Sequence, residues 1–298
     1  MKRLIFTLVA ALCVIACGKE NGGNSVKQLY LDEYQLDLII GASATLTTIL
    51  EPADASVTVK WTSNDPDIAT VVSGVVTAHK AGKTTITAAA GKASAMCFVT
   101  VSAVPEGAVD LGLGVLWASC NLGATKPEEY GRYYAWGETE TKFRYLLQDY
   151  KWGDGSAVNG SEHMTKYTGT GDTQLELDDD AARTVLGAPW RTPTKQELED
   201  LVNKCTWTKA SRRDYLGYEV WGYEVTGANG NSIFIPSAGY YYDRRDGAVT
   251  YCYLQSSTRS ADRADFSYRL YANGPNPNKF VEAFYREYGY PIRPVLGF

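Results

Sequence analysis

The chain of 298 residues carries 29 lysine and arginine residues and 34 aspartate and glutamate residues, so its formal net charge is −5 at pH 7. This balance argues against a nucleic-acid-binding protein, because such proteins concentrate a basic surface. The length suits two domains. Only two of the 21 tyrosines and one of the seven tryptophans precede residue 104, and the Pro- and Gly-containing segment 103–107 lies at the same place, so we predict a linker there.

The N-terminus has the pattern of an export signal. An uncharged run, residues 4–16, follows two basic residues and is shorter than the ~20 apolar residues that span a bilayer. The run ends in Val14-Ile15-Ala16-Cys17, which resembles the lipobox of bacterial lipoproteins. The resemblance implies that the signal peptide, residues 1–16, is removed and that Cys17 is acylated, so that lipid chains anchor the protein to a membrane. An ordinary signal peptide with an incidental cysteine is the alternative.

The residues after the cysteine predict a tether and a location. Segment 17–27 is polar and rich in Gly and Asn, which is typical of a flexible linker. Gly18 stands where an aspartate would indicate retention in the inner membrane, and Lys19-Glu20 resembles the charged export signals of Bacteroidota surface lipoproteins. We therefore predict a lipid-anchored outer-membrane protein that is exposed at the cell surface.

Residues 28–102 predict a small all-β domain. Seven short segments rich in Val, Ile, Thr and Tyr are separated by Gly, Pro, Asn and Asp, a pattern that favours a β-sandwich. Trp61 lies within one of these segments, where a sandwich places a large core residue, and Cys97 alternates with apolar residues and is expected to be a buried thiol. His79 near a turn has no second ligand close in sequence and is interpreted as a surface histidine.

This domain resembles a known family. The motifs Leu38-Ile39-Ile40-Gly41, Trp61-Thr62-Ser63-Asn64-Asp65-Pro66 and Gly74-Val75-Val76-Thr77-Ala78 are similar to those of the bacterial immunoglobulin-like group-2 domain. The resemblance implies an Ig-like fold and a role as a spacer or stalk, sometimes within adhesins.

Residues 108–298 predict an α+β domain, with two helices inside a mostly antiparallel β set. Asp178 or Asp179 is expected to cap a first helix that ends before Gly187. Thr194, with Glu197 three residues later, predicts a capping box at the start of a second helix. The turn dipeptides Asn229-Gly230 and Asp246-Gly247 predict hairpins among the strands that follow.

This second domain also resembles a known family. Its motifs Trp117-Ala118-Ser119-Cys120-Asn121-Leu122-Gly123-Ala124, Tyr134-Ala135-Trp136-Gly137-Glu138 and Ile292-Arg293-Pro294-Val295 are similar to those of the Fibrobacter succinogenes major paralogous domain of Bacteroidota lipoproteins. The resemblance implies a C-type-lectin-like fold, which formylglycine-generating enzymes also use. It implies no activity, because unrelated functions share such folds.

No recognisable catalytic constellation is present in the sequence. The two histidines, His79 and His163, belong to different predicted domains, and neither a Cys-x-x-Cys motif nor a Gly-rich phosphate loop before a helix occurs. The acidic run Asp178-Asp179-Asp180 could ligate calcium, but acidic residues also favour a helix N-terminus. We therefore expect no cofactor, no metal and no enzyme. A carboxylate-dependent glycan-active enzyme stays open as the alternative, because the sequence does not give distances between carboxylates.

A tyrosine-rich segment predicts the binding site. Aromatic faces beside polar groups suit carbohydrate or protein contacts, so we expect a glycan or a cell-surface protein as the ligand. Alternatively, these tyrosines are core residues, since strands bury every second side chain. The predicted site residues, placed on one hairpin, are Tyr240, Tyr242, Asp243, Arg244, Arg245, Tyr251 and Tyr253.

Four cysteines remain after removal of the signal peptide and acylation of Cys17, in an exported protein where disulfides persist. Of the three possible full pairings, we predict one that includes a disulfide between Cys120 and Cys205, which lie at the ends of a strand-like and a helical segment.

Overall fold

The computed structural model of the chain describes residues 26–53 and 57–297. The chain divides into two compact units, of which the first ends at Ser102 and the second begins at Ala103. The predicted signal peptide, Cys17 and nearly all of the predicted tether lie outside the described residues. Among the residues that are described, no helix combines the length and the apolar character needed to cross a membrane.

The described part of the first unit is built from strands. In its two longest strands, residues 82–90 and 93–102, buried and more exposed residues alternate, as the period-2 geometry of a half-buried strand requires. The strands are β1 (Gln28–Leu31), β2 (Gln35–Ile39), β3 (Ser43–Thr45), β4 (Thr48–Glu51), β5 (Lys60–Ser63), β6 (Ala69–Val72), β7 (Val75–Ala78), β8 (Gly82–Ala90) and β9 (Ala93–Ser102).

These strands form a four-stranded sheet in the order β2-β9-β8-β5, a three-stranded sheet in the order β3-β7-β6 and the pair β1-β4. β2 runs parallel to β9, and the other pairings are antiparallel. The buried residues include Val76, Ile86 and Val99. Cys97 is a buried free thiol, as predicted, whereas Trp61 is only partly buried.

The sequence predicts seven strands where the described part of this unit has nine. The first two predicted strands are each divided in two. Asp32 explains both divisions, because its carboxylate accepts hydrogen bonds from the backbone N–H of Thr47, at 2.8 Å, and from the Thr47 hydroxyl. These bonds hold the break after β1 against the break before β4.

Gly74 makes the turn between β6 and β7 possible. Its φ angle is +87°, and a Cβ atom placed there would lie 2.5 Å from the carbonyl oxygen of Leu46 and 3.3 Å from a ring atom of Trp61. Both the backbone conformation and the close approach therefore require glycine at this position.

The second unit combines two α-helices with antiparallel strands. Short 3-10 helices lie at Leu147–Asp149, Ser161–His163 and Leu177–Asp179. The other elements are β10 (Ala108–Asp110), β11 (Val115–Ala118), β12 (Tyr133–Tyr134), α1 (Ala181–Leu186), α2 (Lys195–Lys204), β13 (Thr206–Arg213), β14 (Glu219–Thr226), β15 (Ser232–Pro236), β16 (Tyr240–Tyr241), β17 (Arg245–Asp246), β18 (Cys252–Arg259), β19 (Phe266–Asn273), β20 (Asn278–Tyr285), β21 (Tyr290–Pro291) and β22 (Val295–Gly297).

The main core of the second unit lies between helix α2 and two sheets, β13-β14-β15 and β18-β19-β20. From α2 it takes Leu198, Leu201 and Val202, which recur at helical spacing and are buried. The sheets supply residues that include Val225 and Leu270. The smaller sheets β10-β11-β22 and β12-β21 bring the C-terminal strands back to the start of the unit.

The two predicted helices are present, with one correction. Thr194 caps α2, and the reciprocal bonds between Thr194 and Glu197 form the predicted capping box. Helix α1 is capped by Asp180 rather than by Asp178 or Asp179, since the Asp180 carboxylate accepts the N–H groups of Ala182 and Arg183. Asp178 and Asp179 belong instead to the preceding 3-10 helix.

One of the two predicted hairpin turns is present. Asn229-Gly230 lies in the connection between the paired strands β14 and β15, as predicted. Asp246-Gly247 does not form a hairpin turn between the tyrosine-rich segments, because Asp246 is itself paired with Tyr240 in the two-residue ladder β16-β17. The reversal lies at residues 242–244. Gly239, with φ +65°, lies so close to the carbonyl oxygen of Asp246 that a Cβ there would be 2.0 Å away.

Candidate functional site

The two faces of the sheet β18-β19-β20 are chemically different. Leu254 and Leu270, which are paired across strands, belong to the core face. On the opposite face Tyr253 lies beside Tyr271, which in turn lies beside Phe280, so one aromatic side chain comes from each strand. The ring centroids are 5.5 Å apart in the first pair and 4.9 Å apart in the second. Cross-strand aromatic pairs at such distances stabilise a sheet.

Further tyrosines extend this row beyond the sheet. The turn after β20 carries Tyr288, whose ring stacks on Tyr242 with centroids 4.7 Å apart and an interplanar angle of 19°. Tyr240 lies 5.8 Å from both Tyr253 and Tyr288 and so joins the two groups. We call this set the tyrosine surface; it consists of Tyr240, Tyr242, Tyr251, Tyr253, Tyr271, Phe280, Phe284, Tyr288 and Tyr290.

One buried arginine supports the tyrosine surface. The Arg269 guanidinium, in the middle of β19, lies 4.6 Å from the ring centre of Tyr253, 3.8 Å from that of Phe284 and 4.9 Å from that of Tyr290. It donates hydrogen bonds to the Glu282 carboxylate at 2.8 and 3.1 Å and to the Tyr290 hydroxyl. Because Arg269 is only 7% exposed and carries both an ion pair and ring contacts, it holds the rings in fixed positions.

The hydroxyl groups of Tyr253, Tyr288 and Tyr290 stay protonated at physiological pH. Burial raises the pKa of both Tyr253 and Tyr288 to about 12 and raises that of Tyr290 well above its ordinary value of 10. Neutral phenols both donate and accept hydrogen bonds. The surface therefore offers aromatic faces together with neutral hydroxyl groups.

The structure brings four of the seven predicted site residues together. Tyr240, Tyr242, Tyr251 and Tyr253 all belong to the tyrosine surface, where Tyr242 is exposed and Tyr253 is buried. A tyrosine of this set can therefore be a core residue and still support the candidate site, because the more exposed rings pack around the buried one.

The three charged residues of the prediction are exposed, and none of them belongs to the tyrosine surface. Asp243 pairs with Arg144 at 3.6 Å. Arg245 lies 5.2 Å from the ring centre of Tyr130, outside the tyrosine surface. Arg244 is exposed in the reversal of the β16-β17 ladder. The single hairpin that was to carry all seven residues is absent, because β16 pairs with β17 and β18 pairs with β19.

Sequence reasoning missed the half of the surface that comes from β19, β20 and the following turn. A signal was available, since Arg269 and Tyr271 are two residues apart, as are Phe280 and Glu282. Residues two apart on a strand point to the same side. Which side faces the core is decided by register, and the sequence does not give the register.

The described part of the chain has four cysteines, and all are free thiols. The predicted disulfide between Cys120 and Cys205 is therefore not formed. Cys205 packs in the main core. Cys120 is partly exposed and lines a groove of about 380 Å³ beside Trp190 and Pro294. The two thiols therefore lie in different environments, Cys205 in the core and Cys120 in an open groove.

Two of the three carboxylates in the acidic run before α1 are bound within the protein, and Asp178 is exposed. Asp180 accepts two backbone N–H groups of α1 and also the N–H and hydroxyl of Thr192, at 2.8 and 2.6 Å. Asp179 accepts hydrogen bonds from Lys166 at 2.5 Å and from Tyr167 at 2.6 Å. Over residues 26–53 and 57–297, no group of three or more His, Cys, Asp or Glu side chains is arranged to hold a metal ion.

Comparison with known proteins identifies part of the chain. Residues 25–108 match the bacterial Ig-like domain (group 2), so this part of the chain is a bacterial Ig-like domain, as predicted. No curated protein sequence matches the chain.

Solved structures similar to the chain come from the S-layer protein SbsC. Domains 4 and 5 of that protein are 24% identical over 26% of this chain, with a TM-score of 0.24, and the chain spans about half of that structure, 51%. Domains 5–6 are 12% identical over 92% of this chain and 85% of that structure, with a TM-score of 0.24.

Proposed function

We propose that the second unit is a binding module that takes up a glycan on the tyrosine surface, and that the Ig-like domain is the stalk that carries it on a lipid-anchored outer-membrane protein. The observation that carries the proposal is the tyrosine surface itself, in which exposed rings stand on a buried aromatic and cationic base. Adhesion to the glycan coat of a cell or to a polysaccharide is the biological role that follows.

The exposure of the rings supports recognition rather than packing alone. Tyr242 and Phe280 are each 38% exposed, and Tyr240, Tyr251 and Tyr288 are partly exposed. Sugar rings have apolar faces of C–H groups and an edge of hydroxyl groups. Aromatic faces with neutral phenol groups at their edges complement both parts.

The fixed geometry of the rings supports the same proposal. Because Arg269 is held by Glu282 and by Tyr290, the buried rings of Tyr253 and Tyr290 that pack on it form an ordered base for the more exposed rings. A preorganised surface loses less conformational entropy on binding and therefore binds more tightly.

The stalk and anchor rest on separate support. The match of residues 25–108 to a bacterial Ig-like domain supports a spacer role for the first unit. The lipobox-like sequence that ends in Cys17, followed by a polar tether, supports anchoring to the outer membrane with outward exposure.

The proposal is tested with residues 18–298, the predicted mature polypeptide without its anchor, on a glycan array and then by titration with the best-bound glycan. Tyr242→Ala is expected to weaken binding about tenfold, or ~1.4 kcal/mol. Its melting temperature should stay nearly constant, because truncation of an exposed side chain seldom changes stability by more than about 0.5 kcal/mol. The matched control is Tyr215→Ala, which removes a tyrosine that is 80% exposed and lies outside the tyrosine surface.

The same experiment separates the remaining hypotheses. Equal binding by Tyr242→Ala and the control would overturn the tyrosine surface as the site, and the absence of any bound glycan would overturn the glycan proposal. Incubation of the bound polysaccharide with the protein, followed by analysis of chain length, tests the alternative of a carboxylate-dependent enzyme. Cleavage would support that alternative.

A further inference from the structure

The strands β13 and β14 extend beyond the sheet to which they belong. β15 pairs with β14 only from Gly222 onward, so the end of the hairpin is a two-stranded arm. The turn at its end exposes three large side chains, with Tyr215 at 80%, Leu216 at 63% and Tyr218 at 69%. We call residues 214–218 the hairpin tip. Neighbouring exposed apolar residues of this size indicate an interaction site.

The backbone of the hairpin tip is satisfied within the turn. The Asp214 carboxylate accepts the N–H groups of Leu216 and Tyr218, both at 2.9 Å. The backbone N–H groups of Asp214 and Gly217 donate to the carbonyl groups of Tyr218 and Asp214, both at 3.0 Å. Arg213 donates to the Gly217 carbonyl at 2.8 Å. Most backbone polar groups of the turn therefore have partners within the protein.

The residues behind the tip include a tryptophan, three basic side chains and two acidic ones, and Arg212 pairs with Glu224 at 3.1 Å. Trp221 is 38% exposed, and the Lys209 ammonium lies 5.4 Å from the centre of a ring of this tryptophan. Arg213 lies directly behind the tip and is paired across the arm with Glu219. Tyrosine and tryptophan concentrate at the level of lipid headgroups, and lysine and arginine side chains reach lipid phosphates from just outside the apolar region.

We propose that the hairpin tip inserts into the headgroup region of a phospholipid bilayer, as a second contact surface that is independent of the tyrosine surface. Insertion into the apolar boundary is favoured when backbone groups already have hydrogen-bond partners, and most backbone groups of the tip have one. The exposure of these three side chains also favours a bilayer, because a bilayer interface needs no matching pocket. Leu216 enters furthest, the tyrosine hydroxyl groups stay among the headgroups, and Lys209 and Arg213 face the phosphates.

The test uses flotation of residues 18–298 with vesicles, since neither the predicted signal peptide nor the lipid anchor is then present. One set of vesicles contains phosphatidylcholine alone, and the other contains phosphatidylcholine with phosphatidylglycerol. The variant Tyr215→Ser/Leu216→Ser/Tyr218→Ser is expected to reduce binding to both by at least tenfold. Lys209→Gln should reduce binding mainly to the anionic vesicles, because it removes an attraction to phosphate charge and leaves the hydrogen bonds of the turn in place.

The matched control is Tyr242→Ser, which replaces an exposed tyrosine of the tyrosine surface and should leave vesicle binding unchanged. Circular dichroism melting checks that each variant is folded, and the more conservative Leu216→Ser alone replaces the triple variant if that one unfolds. Failure of the unmodified polypeptide to float with either vesicle would overturn the proposal and leave a protein partner as the occupant of the tip. Equal flotation of the folded tip variant and the unmodified polypeptide would also overturn it.

Discussion

Replacement of Glu287 by Gln should stabilise the second unit relative to the wild type. The difference in unfolding free energy should grow as the pH rises. Glu287 lies between Arg286 and Tyr288 in the turn after β20, is only 2% exposed, and has an Oε2 atom without a hydrogen-bond partner among the described residues. Burial is the main reason that the pKa of Glu287 is raised from its ordinary value of 4.5 to about 7. Asp265 raises the pKa further, whereas its own backbone N–H and Arg286 lower it.

The raised pKa determines the sign of the effect. The folded state binds the Glu287 proton more tightly than the unfolded state does, so the stabilisation by this proton is complete below pH ~4.5 and is lost as the pH rises through about 7. A pKa raised from 4.5 to about 7 corresponds to about 3 kcal/mol of unfolding free energy. In Glu287→Gln the side chain is neutral at every pH. The variant should therefore gain about 2 to 3 kcal/mol relative to the wild type between pH 5 and pH 8.

The assay is urea unfolding of wild type and Glu287→Gln at pH 5, 6, 7 and 8, with the transition of the second unit followed by fluorescence of its six tryptophans. Glu140→Gln, at an exposed glutamate, is the control for the loss of a carboxylate outside the buried turn. A difference between wild type and Glu287→Gln that does not change with pH would refute the reasoning, since it would mean that Glu287 titrates alike in both states.

Four further predictions concern the helix cap, a turn, the anchor and the thiols. Thr194→Ala should cost about 1 kcal/mol in urea unfolding, as loss of a capping residue does, and an unchanged midpoint would contradict the capping box. Gly74→Ala should destabilise the Ig-like domain by about 2 kcal/mol. Gly91→Ala should cost less, because φ is also positive there but a Cβ atom would meet open space. Cys17→Ser should abolish labelling by a fatty-acid probe, and persistent labelling would exclude the predicted lipid site. A thiol reagent should modify Cys120 in the native protein before the three buried cysteines, and equal rates would contradict the structure.

The features that the sequence predicts well are those specified by neighbouring residues. The capping box depends on Thr194 and Glu197, which are three residues apart, and both bonds of the box are present. The Ig-like domain is predictable because its strands are short, its turns contain glycine at positive φ, and its motifs recur along the whole segment. Residue type and spacing decide such features before any distant contact forms.

The features that the sequence predicts poorly depend on contacts between distant residues. Asp32 ends β1 because it binds Thr47, which lies 15 residues away. Asp179 would serve as a helix cap if only its neighbours mattered, but Lys166 and Tyr167 bind its carboxylate, and Asp180 takes the cap. In each case a carboxylate has two possible sets of partners, and the tertiary contact decides between them.

The tyrosine surface joins both kinds of feature. Tyr240 and Tyr242 belong to a tyrosine-rich segment that is visible in the sequence. The rings that they contact come from other segments, and the sequence does not give the strand register that brings these segments together. Arg269 shows why the missing half matters. It is buried, and replacing it by an apolar residue would leave Glu282 without its ion-pair partner and three rings without the cation on which they pack. Such a site tolerates changes at its exposed rings far better than changes at its base, so residues that contact the ligand and residues that hold the site together are expected to separate in any mutational scan.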